Sequence, residues 1–306
     1  MKMQIALVIL LCFILGCNNS ENSSSVPVEP NRALIEGEQL KSAIGQFELR
    51  QFNAAIKEFK KYAAEGNSEA QYYLAYSYIN GLGGNKDLKH GIEWLTKSSG
   101  QGNDKGMCLL GLEYLSGEGV DKDPQHAVSL LSESSQKGNV IAAHTLGTLN
   151  VEGKVMPKDV NKAIEYYKKA ADKGFAPSQY SLGMLYLEDK EIPRDEEQAV
   201  KYLKLAAQTG DQDASLNFGK AIIMLLTKKL EKKPTNKLYA QRGLISYGIG
   251  MYDYARRDFY IACYGDSGDL GRQDAESLGC KAYMSMRLGV SLDQLVQEYR
   301  STIPNM

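Results

Sequence analysis

The chain has 306 residues, 43% of them hydrophobic and 24% charged, with a formal net charge of −1. That length suits two ordinary domains or one long repeat array. Near-neutral charge with interspersed signs excludes the basic face that a nucleic-acid partner's phosphates would demand.

At the N-terminus a single lysine precedes an apolar run from Ile5 to Leu15. Roughly 20 apolar residues are needed to span a bilayer as a helix, so this run is too short for an ordinary anchor. It ends in Ile-Leu-Gly-Cys, which resembles a bacterial lipobox. The resemblance implies a signal peptide over 1–16, cleavage before Cys17, diacylglycerol on its sulfur and export to the periplasm, with the body held on a membrane. Residues 17–31 are Ser/Asn-rich without apolar period. They are expected to form a flexible tether with an end-to-end distance of roughly 20 Å.

From residue 32 a helix pair is expected, its second helix reading FNAAIKEFKKYAAEGN over 52–67. Then a period of 36 residues begins. It is carried by Gly66, Gly102, Gly138, Gly174 and Gly210, and by Gly111, Gly147, Gly183 and Gly219 with Ala75 at the preceding register. Gly81, Gly117 and Gly153 form a third series, continued by Asp189, and Asp87, Asp123, Asp159 and Asp195 a fourth. The glycines around residues 111–119 are therefore one unit of an array, since a phosphate-cradling loop would occur once.

Each unit reads as two helices. The Gly81 series follows the first, where a left-handed residue commonly ends a helix, and Asp189 is expected to substitute there. The aspartates stand where the second helix must start and suit N-caps, facing the positive end of the dipole. Ser99, Ser135, Ala171 and Ala207 keep one register small for close helix approach. Ala-x-x-x-Leu-Gly-x-x-Tyr-x-x-Gly-x-Gly-Val, then Asp, then Ala followed by Ala-Ala-x-x-Gly, resembles the Sel1-like repeat (SLR) family, relatives of the tetratricopeptide repeats. Four units fit, 68–103, 104–139, 140–175 and 176–211, with Val155 and Glu191 departing from the glycine-rich turn.

Beyond them, residues 212–306 are expected to be helical: a longer helix ending before Pro234, a tetratricopeptide-like hairpin at about 239–263, and capping helices through SLDQLVQEYR. The dense basic stretch of Lys228, Lys229, Lys232 and Lys233 reads as a solvated helix end. The fold class is thus all-α, a right-handed α-solenoid of stacked helix-turn-helix repeats, SLR in the middle and tetratricopeptide-like at both ends. If Cys263 ends one helix and Cys280 lies mid-way along the next, they differ in height by roughly 10 Å. Paired cysteines need Cα atoms within about 7 Å, so no disulfide is expected between them.

Catalytic candidates are thin. His90 and His126 recur one repeat apart, too far to share a metal, and with His144 they read as surface or capping residues. Ser134-Ser-Gln-Lys137 fits a Ser-x-x-Lys pattern, but neither Ser-Asp-Asn nor Lys-Thr-Gly accompanies it. No enzyme activity, cofactor or metal site is expected. The tetratricopeptide resemblance implies that first helices line a groove, with one ladder through Tyr72, Cys108, His144 and Tyr180 and a second through Tyr76, Leu112, Thr148 and Met184. Both change chemistry from unit to unit, as a recognition surface should, whereas Ile79, Leu115, Val151 and Leu187 stay aliphatic and read as packing. The expected role is a periplasmic protein-binding lipoprotein. Some SLR lipoproteins are immunity proteins, so the leading expectation is binding and blocking of an envelope-acting toxin such as a type VI secretion phospholipase. A scaffold in envelope assembly or polysaccharide export is the alternative, and a cell-wall hydrolase a distant third.

Overall fold

The computed structural model describes residues 32–264, 278–288, Leu292 and Leu295. The signal peptide, the tether, Cys17 and most of the capping segment after Arg287 lie outside the described residues. Helices account for the fold, with no strand among the described residues. In chain order they are α1 (Arg32–Glu48), α2 (Phe52–Ala64), α3 (Ser68–Asn80), α4 (Leu88–Gly100), α5 (Asp104–Ser116), α6 (Pro124–Gln136) and α7 (Val140–Glu152). These are followed by α8 (Val160–Ala171), α9 (Ala176–Glu188), α10 (Glu196–Ala207), α11 (Gln212–Lys232), α12 (Asn236–Gly248), α13 (Tyr252–Tyr264) and α14 (Leu278–Arg287). The chain divides into two compact units, residues 1–58 and 59–306. In the first, Phe47 and Phe52 meet edge to face at 5.2 Å across the turn between α1 and α2, where Arg50 takes a left-handed φ of 61°.

The second unit is an all-α solenoid of stacked helix pairs. Each second helix starts as its aspartate dictates: Asp87, Asp123, Asp159 and Asp195 accept the backbone N–H of His90, His126, Lys162 and Gln198. This satisfies an N–H that the helix itself leaves unpaired. Asn67, Asn103 and Asn139 do the same for α3, α5 and α7. Gly81, Gly117 and Gly153 end the first helices at φ of 65°, 80° and 68°, a region nearly closed to side chains with a Cβ.

Asp189 departs from expectation. It lies at φ −70°, ψ 138°, in extended rather than left-handed backbone, and its carboxylate accepts the N–H of Glu191. A Cβ makes the left-handed region costly, and the Asp side chain offers the turn another anchor. The closing bond survives nonetheless. Asp195 N donates to Tyr186 O at 3.0 Å, matching Asp87 to Tyr78, Asp123 to Tyr114 and Asp159 to Asn150 in the earlier units.

The core is a column of leucines. Leu74, Leu110, Leu146 and Leu182 of first helices and Leu95, Leu131, Tyr167 and Leu203 of second helices are all buried, and Leu95 packs with Leu110, Leu131 with Leu146 and Tyr167 with Leu182. Each contributes roughly 1.5–3 kcal/mol by leaving water. The glycines opposite allow the helices to touch: a Cβ on Gly147 would stand 2.6 Å from the Tyr167 ring, and one on Gly183 2.4 Å from Leu203. Ile79, Leu115, Val151 and Leu187 do pack into this core. Within units, Ser98 and Ser134 of the second helices donate to the carbonyls of Ser68 and Asp104 at the start of the first, both at 2.7 Å.

The cysteines also correct the sequence reading. Cys263 and Cys280 form a disulfide, with Cα atoms 4.6 Å apart. Cys280 is the third residue of α14 rather than a mid-helix one, and Cys263 is the last but one of α13. The end of one helix thus meets the beginning of the next, and the expected height difference disappears.

Candidate functional site

The two varied ladders fall on α3, α5, α7 and α9, but the structure does not join them into one strip. Tyr72 and Tyr76, one turn apart on α3, come together with Cys108 and Leu112 of α5 around a pocket of about 480 Å³. Lys105, Leu109 and Ile141 also line it, with Asp104 and residues 138–140. Tyr180 and Met184 of α9 line a second pocket of about 330 Å³, with Val151 and Tyr167. Tyr180 also edges a third, of about 430 Å³, beside Pro177, Thr209, Asp211 and Asp213, and its hydroxyl accepts from Asn217 at 3.0 Å.

His144 and Thr148 line none of these pockets. His144 Nδ1 lies 2.9 Å from Ser178 Oγ, and its ring packs 5.3 Å from Tyr167 and 5.4 Å from Phe175. Thr148 Oγ1 lies 3.1 Å from the Tyr167 hydroxyl. His144 therefore ties the third repeat to the fourth through Ser178, Thr148 stays bound within the third, and burial holds the His144 pKa below its ordinary value. His144 is neither a surface nor a capping residue. His90 and His126 are exposed, and each gives its backbone N–H to a capping aspartate; His90 Nδ1 also lies 2.7 Å from Asp87 Oδ2.

In the first pocket, the Lys105 ammonium lies 2.6 Å from Glu69 Oε1, and within 5.8 Å and 5.3 Å of the Tyr72 and Tyr73 ring centroids. Tyr72 meets Tyr73 edge to face at 5.1 Å. Burial first, then neighbouring Tyr73, pushes the Tyr72 phenol up to about 12, so it remains a neutral donor at physiological pH. Cys108 is 4% exposed and lines the pocket. Burial, with Asp104 nearby, raises its thiol to about 12. A thiol held protonated is a poor nucleophile. The site is thus a largely apolar socket that also carries the Lys105 cation, the Asp104 carboxylate and Asn139, suited to receiving a side chain.

Lys105 and Ile141 went unnoticed in the two ladders. They belong to a third, Glu69, Lys105, Ile141 and Pro177, set three residues before the first and hence one turn along the same helical face. Its chemistry also changes in every unit, and that variation was readable.

Antiparallel helix pairs stacked in this way, with varied residues along the first helices, define an α-solenoid of short repeats, a class of protein-interaction scaffolds. The Sel1 repeat family model matches residues 68–103, 104–139, 140–175 and 176–211. Residues 68–211 are thus four Sel1 repeats. No curated protein matches the chain.

Among solved structures, a Sel1 repeat protein from Oxalobacter formigenes is 21% identical, covering 82% of this chain and 99% of its own, with a TM-score of 0.56. The protective antigen c5321 of uropathogenic Escherichia coli, which displays an SLR fold, is 25% identical, covering 86% of this chain and 66% of its own, with a TM-score of 0.53. An immunity protein of Pseudomonas aeruginosa is 22% identical over 62% of this chain and 70% of its own; its TM-score of 0.42 says nothing of shared function.

Proposed function

We propose that this chain is a periplasmic lipoprotein, anchored through Cys17, that binds and neutralises an envelope-acting toxin such as a type VI secretion phospholipase, and that it acts by binding rather than catalysis. The observation that carries the binding reading is the socket of Tyr72, Tyr76, Lys105, Cys108 and Leu112. Two tyrosines and aliphatic side chains dominate its lining, the composition found at protein-binding hot spots. The lipobox-like Ile-Leu-Gly-Cys17 supports tethering, and the Cys263–Cys280 disulfide suits an oxidising compartment. A body tethered near the bilayer meets an enzyme that attacks lipid at the place of attack.

The test is a pull-down from the native envelope with residues 31–306 as bait and a Tyr72→Ala/Tyr180→Ala variant as control. One stoichiometric secreted hydrolase, lost from the control, is expected, and the purified pair should then form a one-to-one complex that abolishes hydrolysis. Recovery of a multi-subunit envelope assembly instead would replace the toxin reading with the scaffold one. Identical partners on bait and control would move the binding face away from the first helices.

A further inference from the structure

The last helices carry a feature that the repeat pockets do not explain. Tyr260 and Tyr264 of α13 and Tyr283 of α14 contact one another in a closed triangle, with ring centroids 5.2, 5.6 and 5.7 Å apart. Tyr260 is 43% exposed, as is Met284 beside Tyr283 in sequence, and Leu288 one turn further is 70% exposed. Large side chains left in water together are uncommon without a partner.

Cations flank this cluster. Arg256 and Arg257 stand four and three residues before Tyr260, one turn away on the same helix face. On α14, Lys281 lies three residues before Met284, and Arg287 four after Tyr283. All four are exposed. The acidic residues of α13 do not neutralise them. Asp258 is buried and bound to Arg242, at 2.8 Å from Nε and 2.7 Å from Nη2, leaving Asp253 as the exposed carboxylate of that helix. Among the described residues, the exposed charges of these two helices are thus four cations and one carboxylate, beside an exposed aromatic ring.

The face is also held in shape. The Cys263–Cys280 disulfide joins α13 to α14 next to Tyr264, and Phe259 and Ala282 pack in the core behind it. A surface ordered in advance loses less freedom on binding.

We infer that the α13–α14 face is a second protein-binding surface, for an acidic segment that carries aromatic or aliphatic side chains. Guanidinium forks pair with carboxylates in a fixed planar geometry, and Tyr, Arg and Met are the residues enriched where proteins meet. Charge complementarity thus selects an acidic partner, and the tyrosine triangle selects one with apolar anchors. A bilayer would use the cations as well, but it has no need of rings fixed against one another.

The surface can be probed with the mature chain, its disulfide intact, and a fluorescent Glu/Asp-rich peptide containing Phe and Leu. The same peptide with Lys in place of its acids is the control, and vesicles of phosphatidylcholine with phosphatidylglycerol form a separate arm. Saturable binding of the acidic peptide is expected, weakening as salt is raised. Arg256→Glu with Arg257→Glu should reduce it at least about tenfold, as should Tyr260→Ala. Thermal melts of each variant identify loss of fold, and the arginine pair, being fully on the surface, keeps the test available if Tyr260→Ala unfolds. Equal binding of the Lys peptide, no binding of either, or capture of vesicles alone overturns the inference, the last by making this a lipid-facing surface.

Discussion

Arg242 of α12 grips Asp258 of α13 with two parallel bonds, Nε to Oδ2 at 2.8 Å and Nη2 to Oδ1 at 2.7 Å, while its Nη1 donates to Thr227 Oγ1 of α11 at 2.9 Å. One side chain therefore fastens three successive helices where the regular repeats have ended. The carboxylate is 3% exposed, and it raises the Arg242 pKa above its already high ordinary value. Asp258→Ala leaves a half-buried guanidinium without its partner. Removing one member of a buried pair costs about 3–5 kcal/mol. Urea unfolding should show a loss in that range; a change under about 1 kcal/mol would mean that solvent takes over the carboxylate's role.

The close approach of helices within a repeat gives a contrast between two glycines. A Cβ on Gly147 would lie 2.6 Å from two atoms of the buried Tyr167 ring, whereas one on Gly45, inside α1, meets nothing within 4 Å. Alanine is the better helix former by about 1 kcal/mol. Gly45→Ala should therefore stabilise by up to that amount. Gly147→Ala should destabilise by about 1–3 kcal/mol despite the same propensity gain, because the ring has no room to move. Equal effects on the two melting curves would remove the packing explanation of the glycine register.

His144 gives the repeat junction a pH dependence of definite sign. Burial lowers its pKa in the folded chain, so the unfolded chain takes up the proton first as pH falls through about 6.5. Stability should be constant above that value, decline below it, and level off once the folded-state pKa is passed. His144→Gln retains a side chain able to hydrogen-bond Ser178 but does not titrate. Comparing urea midpoints of the two proteins near pH 7.5 and pH 5 isolates the effect. Parallel declines would assign the pH dependence to other groups.

The repeat register was legible because helix capping and close packing admit few residue types. Asp87, Asp123, Asp159 and Asp195 each recur where a backbone N–H must be met, and Gly117 and Gly153 where φ is positive. What was not legible depended on contacts between units. The spacing of Tyr72, Cys108, His144 and Tyr180 is uniform in sequence, yet Ser178 and Tyr167 draw His144 into a junction, and the pockets described lie on either side of it. Lys105 was missed because its ladder was not followed. The disulfide was missed because its outcome turned on where α14 begins, a boundary that periodicity places only to within a few residues.

That disulfide closes a separation of 17 residues and fastens the helix pair farthest from the repeats. Closing a loop of this size restricts the unfolded chain by about 3 kcal/mol in the chain-entropy account. Cys263→Ala with Cys280→Ala should lower stability by a similar amount. The loss should fall mainly on α13 and α14, because the capped repeats of α3–α10 contain neither cysteine. Hydrogen exchange distinguishes the alternatives. Faster exchange confined to α13 and α14 is expected, with the protection of Leu74, Leu146 and Leu182 unchanged. If exchange rises equally along the whole solenoid, the terminal pair is part of a single cooperative unit, and the disulfide stabilises every repeat through it.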